Sequence, residues 1–168
     1  MVRVLLVGLM ASGKSTVAQA ISAATGWPGL DNDDLLLRSA GATAVELLRQ
    51  QGLAALRAAE SDVLTLTLAA PGPLVAGVAA GVVLDERDRE RLRTGGHVVY
   101  LRTPVAALAR RVSTKDHRPF LDGDPTAALQ AMAQERDPLY REVATQVLDM
   151  AVLSPQEAAR EVLAAVTD

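Results

Sequence analysis

The chain alternates short apolar runs with stretches of helical periodicity. Residues 2–7 carry one Arg in an otherwise continuous apolar run, the pattern of a strand buried on both faces of a parallel sheet. Residues 14–25 then set Val17, Ala20, Ile21 and Ala24 on one helical face, and Gly26-Trp27-Pro28-Gly29 stops that helix, with Trp27 expected to plug the turn. Residues 29–31 read as a short second strand. Residues 35–39 and 43–50 read as helices separated by Gly41, the second opened by a capping box of Thr43 and Glu46, and residues 52–69 as a longer helix. Pro71-Gly72-Pro73 breaks the chain before a third strand that begins at residues 74–76. Residues 85–94 predict a polar surface helix, and Gly95-Gly96 turns into HVVYL, residues 97–101, a fourth strand. Thr103 is the expected N-cap of the following helix, with Pro104 at its first position. Residues 112–125 are charged, carry Gly and Pro and lack periodicity, which predicts a mobile loop. Asp124-Pro125 opens a helix as far as Glu135, Pro138 begins a further helix, residues 146–149 form a last strand, and a capping box at Ser154-Pro155-Gln156-Glu157 opens a terminal helix to Val166.

Strands alternating with helices predict an α/β fold, a parallel sheet flanked by helices. No linker, repeat or low-complexity segment interrupts it, so residues 1–168 are expected to form a single domain. Composition narrows the chemistry. Hydrophobic residues make up 49% but aromatics only 2%, so the core has to be built from Ala, Val and Leu. A net charge of −3 offers no basic field for nucleic acid. With no cysteine there are no disulfides, no thiolate catalysis and no Cys-ligated zinc, and two histidines, His97 and His117, are too few and too far apart for a metal cage. His97 reads as structural and His117 as a solvated loop residue. The apolar run at residues 4–10 is too short to span a bilayer and lacks cleavage-signal architecture. The expectation is a cytoplasmic monomer with no nucleic-acid or membrane partner.

Within this frame, GLMASGKS at residues 8–15 matches G-x-x-x-x-G-K-[ST], between an apolar strand and an amphipathic helix. Gly8 and Gly13 let the backbone turn so that several N–H groups aim at one point, and the helix dipole adds to them. Ala11, Ser12, Gly13, Lys14, Ser15 and Thr16 are therefore expected to grip a nucleotide's phosphates. Lys14 reaches the β- and γ-phosphates, and the Ser15 hydroxyl is a Mg²⁺ ligand. No Asn-Lys pair is present to read a guanine base, and no apolar strand ends in the Asp-Glu of a motor ATPase. A short chain with a charged central loop fits a small-molecule kinase, which closes a lid to exclude water.

Several motifs lie at telling positions downstream. Leu30-Asp31-Asn32-Asp33 is followed by Gly41-Ala42-Thr43-Ala44-Val45-Glu46 and by Gly52-x-x-x-Leu56-Arg57-x-x-Glu60. After HVVYL come Arg110-Arg111, then Arg118-Pro119-Phe120-Leu121, then Glu135-Arg136-Asp137-Pro138-Leu139-Tyr140-Arg141. With GLMASGKST, this series resembles the shikimate kinase family nearly end to end. The resemblance implies a three-layer α/β/α P-loop fold of the nucleoside-monophosphate-kinase kind, with a central five-stranded parallel sheet. It further implies a substrate-binding helical region at about residues 32–62 and a lid at about residues 112–125. The implied activity uses ATP and Mg²⁺ to phosphorylate the 3-hydroxyl of shikimate.

Residue by residue, the resemblance gives Asp31 to Mg²⁺ through water and Asp33 to the acceptor hydroxyl, as its base. Asp31 and Asp33 are i, i+2, and in an extended segment both face one side; the bland alternative is an acidic loop, with Asp34 capping the next helix. Arg57 and Arg136 match the clamp on the substrate carboxylate, a task suited to a planar guanidinium. Glu60 stands i+3 from Arg57 and can hold it. The alternatives are a surface charge for Arg57 and a helix-terminal charge for Arg136. Arg118 matches a lid arginine that reaches the transferring phosphate, Arg111 a residue packing on adenine, and Pro155 the adenine-side loop. One departure stands out. The family carries three consecutive glycines at the acceptor site; here they are Ala79, Ala80 and Gly81. Ala80 and Gly81 are expected at the substrate. If φ were positive at the alanines, each would cost about 1 kcal/mol. Three readings stay open at this point: a shikimate kinase, a kinase for another hydroxylated carboxylate such as a gluconate-like acid, and a nucleotide-binding protein without turnover.

Overall fold

The computed structural model describes residues 1–112, 121 and 123–167. The expected lid therefore lies mostly outside the described residues, and Arg118 and His117 with it. Five strands, β1 (Arg3–Val7), β2 (Gly29–Leu30), β3 (Leu74–Gly77), β4 (His97–Arg102) and β5 (Gln146–Asp149), form one sheet in the order β2-β3-β1-β4-β5. Every neighbouring pair is parallel, with Leu5 level with Ala76 on one side and Val98 on the other. The helices are α1 (Lys14–Thr25), α2 (Asn32–Ala40), α3 (Ala44–Gln51), α4 (Leu53–Ala69), α5 (Glu86–Gly95), α6 (Val105–Val112), α7 (Pro125–Val143) and α8 (Pro155–Thr167).

The period-two alternation of each strand divides the core between two faces. Val4 and Leu6 of β1 join Val99 and Leu101 of β4 beneath α1 and α8, where Val17, Ile21, Ala158 and Val162 pack. Leu5 and Val7 join Ala76, Val98 and Tyr100 on the opposite face, against Leu64 of α4, Leu92 of α5 and Leu129 of α7. This is the three-layer α/β/α arrangement. A third, smaller cluster of Leu36, Leu47, Leu56 and Val63 ties α2 and α3 to α4 beside the sheet. Among the described residues no helix is long and apolar enough to cross a membrane.

Local capping explains most helix starts. Thr43 and Glu46 form the expected box, at 3.2 and 2.9 Å, and Ser154 with Glu157 forms another, at 3.1 and 2.7 Å. Three expectations are corrected. The helix expected from residue 35 begins at Asn32, and its cap is Asp31, which accepts from the backbone N–H of Asp33 and Asp34; Asp34 sits inside the first turn. The Thr103 hydroxyl donates to the Ser12 carbonyl at 3.4 Å instead of capping α6, which starts one residue later than expected. The helices expected on either side of Pro138 are one continuous helix, α7, with Pro138 inside it. A mid-helix proline loses one backbone bond and costs about 3 kcal/mol. Here Arg136, Tyr140 and Val143 bury the same face on both sides of it, and that packing keeps the helix whole.

Asp137, beside that proline, accepts from the Tyr100 hydroxyl (2.7 Å) and from Arg141 Nε (2.9 Å), linking α7 to β4. Partial burial works against its charged form, but the bonds from Tyr100 and Arg141 outweigh it and hold the carboxyl below its usual range. A depressed folded pKa adds stability above the unfolded carboxylate range of about 4, and that stability is lost as pH falls through the folded value. The wild type is therefore expected to lose more stability between about pH 5 and pH 3 than Asp137→Asn, as read by urea unfolding across pH. Ile21, with 0% exposure in the α1 core, tests the packing. Ile21→Ala is expected to cost about 2–5 kcal/mol in urea unfolding, while Val152→Ala at an exposed position changes stability by less than about 0.5 kcal/mol.

Candidate active site

Strand β1 has neighbours on both sides, and the chain leaves its carboxyl end at the point where the strand order reverses, the crevice of an open α/β sheet. The loop there is tightly wound. Gly8 has φ +152°, and a side chain on it would press on Ser12 Oγ (2.9 Å) and the Leu101 carbonyl (3.0 Å). Gly13 is left-handed at φ +98° and caps α1, with its carbonyl accepting from Val17 N–H. Ala11, at φ +63°, is the only described residue other than glycine with positive φ. Strain of this kind, of order 1–3 kcal/mol, persists where surrounding structure enforces it. The Ala11 carbonyl accepts from Arg111 Nη1 at 2.7 Å, which ties the loop to α6. Lys14 Nζ donates to the carbonyls of Gly8 (2.8 Å) and Leu9 (3.0 Å), folding its charge over the loop. Ser12 is 1% exposed, and its Oγ has no hydrogen-bond partner among the described residues.

The Ser15 hydroxyl donates to Asp31 Oδ2 at 3.4 Å, while Asp31 Oδ1 caps α2. One carboxylate thus serves the helix and faces the phosphate loop. Hydroxyl and carboxylate oxygens are hard donors suited to Mg²⁺, which keeps several waters and takes only one or two protein ligands beside a phosphate. Among the described residues no group of three or more His, Asp or Glu forms an all-protein metal cage. The loop and this oxygen pair fit a Mg–nucleotide. Asp33 is exposed in the first turn of α2, not in an extended segment, so the two carboxylates share the crevice through a helix start and not a strand pleat.

A cleft of about 930 Å³ connects these groups. The run Ala11 to Thr16 and the pair Asp31 and Asp33 line it, with Arg111 and Pro155. Arg57, Arg136, Ala80 and Gly81 line it as well. Every site residue expected from sequence is brought to this cleft, apart from Arg118, which lies outside the described residues. Arg57 Nη1 bonds Glu60 Oε1 at 2.7 Å, the expected i, i+3 pair. Burial pushes the Glu60 carboxyl above its usual range, and the Arg57 charge partly offsets that. Arg136 is 6% exposed, a buried mid-helix residue and not a terminal one, and its Nε has no hydrogen-bond partner among the described residues. A buried cation with an unsatisfied donor costs free energy that an anionic ligand would recover.

The turn after β3 answers the question raised by Ala79 and Ala80. Neither alanine has positive φ, so the feared backbone cost is absent. Gly81, at φ −88°, is needed for a different reason: a Cβ there would overlap the Arg57 guanidinium. Ala79 and Ala80 accordingly add only their methyl groups to the cleft wall. Sequence reading missed Val45 and Leu48 of α3, which also line the cleft. Their i, i+3 spacing was the available signal, but it reads equally as core. It also missed Tyr140, whose hydroxyl donates to the Ala80 carbonyl at 2.6 Å across a separation that only folding closes.

The family described as "Shikimate kinase" matches residues 10–167. A shikimate kinase of Marinomonas sp. (strain MWYL1) is 36% identical over 165 residues, 97% of this chain and 91% of its own. One from Thermobifida fusca (strain YX) is 37% identical over 154 residues, 92% of this chain and 88% of its own. Among solved structures, shikimate kinase from Acinetobacter baumannii in complex with shikimate superposes with a TM-score of 0.92 at 31% identity, covering 99% of this chain and 93% of that one. The chain belongs to the shikimate kinase family.

Proposed function

We propose that the protein transfers the γ-phosphate of ATP to the 3-hydroxyl of shikimate, giving shikimate 3-phosphate and ADP. The observation that carries the reading is the meeting of two guanidiniums, Arg57 and Arg136, with Asp33 and the phosphate loop in one cleft. A cleft that combines a phosphate cradle with a paired guanidinium clamp is built for phosphoryl transfer to a hydroxylated carboxylate.

In this reading Arg57 and Arg136 grip the acceptor carboxylate, with Glu60 steadying Arg57. Asp33 accepts the proton of the attacking hydroxyl as that oxygen bonds the γ-phosphorus and the bond to the β–γ bridging oxygen breaks. The backbone N–H groups of the loop and the Lys14 charge hold the phosphates in line. Ser15 and Asp31 would hold Mg²⁺, which neutralises charge on the nucleotide's phosphates when bound. Arg111 and Pro155 flank the nucleotide's base. Arg118, assigned through the R-P-F-L match alone, offsets charge on the transferring group. Residues 32–62 form the acceptor-binding region and residues 112–125 the lid of a single domain. The reading includes a monomer, since one chain supplies every residue assigned above, and a cytoplasmic location, as expected from the sequence.

Purified protein with Mg-ATP is expected to release ADP on addition of shikimate in a coupled assay. ADP release with other hydroxy acids but not with shikimate would mean that the Ala79 and Ala80 methyls have changed the acceptor. Asp33→Asn is expected to lower kcat about 10²–10⁴-fold with nucleotide affinity retained, by calorimetry. A near-wild-type rate would remove Asp33 as the base. Arg57→Ala is expected to raise KM for shikimate about 10–150-fold, the loss of a charge-assisted bond, with KM for ATP within about twofold of wild type.

A further inference from the structure

The chain's two tyrosines sit as a pair between the sheet and α7, with ring centroids 5.0 Å apart and planes tilted by 31°. Their hydroxyls go different ways. Tyr100 donates to Asp137, away from the cleft. Tyr140, 1% exposed, donates at 2.6 Å to the carbonyl of Ala80, a residue of the cleft wall. That bond joins the two elements that carry the acceptor side. α7 supplies Arg136 one turn before Tyr140, and the turn after β3 supplies Gly81, against which the Arg57 guanidinium rests.

We propose that Tyr140 is a positioning residue for the acceptor: its hydroxyl fixes the Ala79-Ala80-Gly81 turn to α7, and so sets the spacing of the Arg57–Arg136 clamp and the place of the Ala80 methyl. This rests on the acceptor reading above. Tyr140 is buried and does not line the cleft, so it acts through its neighbours, the turn at Ala80 and the Arg136 that hydrogen-bonds its hydroxyl. The surroundings agree. Burial pushes the Tyr140 hydroxyl up to about 12, against the charge of Arg136 and its hydrogen bond to this hydroxyl and the charge of Arg57, and with that of Glu60. An ordinary tyrosine hydroxyl is already protonated at neutral pH, and burial moves this one further that way, so it is a donor there. The charges of Arg136 and Arg57, the proposed clamp, and of Glu60, which steadies Arg57, all reach this hydroxyl. The turn needs such a tether because its alanines are not locked by backbone strain: their φ angles are ordinary, and the local bonds are Val82 N–H to the Ala79 carbonyl and Leu84 N–H to the Gly81 carbonyl, which leave the Ala80 carbonyl to Tyr140.

The test compares Tyr140→Phe with Tyr100→Phe in the full chain. Each deletes one oxygen from the same ring pair, and urea unfolding of both checks that each folds cooperatively. Tyr140→Phe is expected to raise KM for shikimate about 3–12-fold, one lost hydrogen bond, with KM for ATP within about twofold of wild type. Tyr100→Phe is expected to leave both KM values within about twofold, whatever its effect on stability. An unchanged KM for shikimate in Tyr140→Phe would overturn the proposal. So would a parallel rise of both KM values, or the same split in Tyr100→Phe. Wild-type turnover of shikimate with any of those outcomes leaves the acceptor reading standing and removes only the positioning role. Absence of wild-type turnover with shikimate removes both.

Discussion

The carboxyl end of β1 is the constraint on which the rest of the molecule hangs. Val4 to Val7 are all buried, two on each face, so the strand sits at the centre of the sheet with helices over both sides. A strand in that position has neighbours to left and right, and the crossovers leaving them open a crevice at its end. The phosphate loop occupies that crevice. Its positive φ angles at Gly8, Ala11 and Gly13 wind it tightly enough to turn directly into α1. The packing of Val17 and Ile21 under the sheet holds that helix, and so holds the dipole at the loop.

The acceptor side is assembled differently. It depends on a small cluster outside the main core, Leu36, Leu47, Leu56 and Val63, which docks α2 and α3 on α4. Arg57 follows Leu56 directly, so the residue that anchors α4 within this cluster also sets the start of the guanidinium. Gly81 then gives that guanidinium room, and Tyr140 holds the neighbouring carbonyl. Asp31 joins the two sides. One of its oxygens starts α2 and the other meets Ser15, so the acceptor helices and the phosphate loop share a single carboxylate. Moving α2 would move that oxygen.

Much of this was legible in one dimension. The strand and helix alternation, the capping boxes at Thr43 and Ser154 and the phosphate loop depend on neighbours within a few residues, which is the range over which periodicity and capping act. The Arg57–Glu60 pair was legible for the same reason, being one turn of helix. The failures have the opposite character. Pro138 reads locally as a break, yet buried Arg136 and Tyr140 carry α7 through it. Asp34 and Asp31 are equally good caps by composition; Asp31 has the extended backbone of an N-cap and accepts from the N–H groups of Asp33 and Asp34. The alanines at 79 and 80 looked like a cost because glycine is so often a demand for positive φ; in this chain neither position has one.

Sequence alone therefore determined the donor chemistry and the family, because GLMASGKS, the Asp31-x-Asp33 pair and the two arginine motifs are contiguous signatures whose chemistry follows from residue type and short spacing. Only the tertiary structure decided the shape of the acceptor wall. Ala80 and Tyr140 stand 60 positions apart in the chain, and Arg57 meets Gly81 from another element. Contacts between such distant positions are set by how α4 and α7 pack on the sheet, and no local pattern encodes that packing.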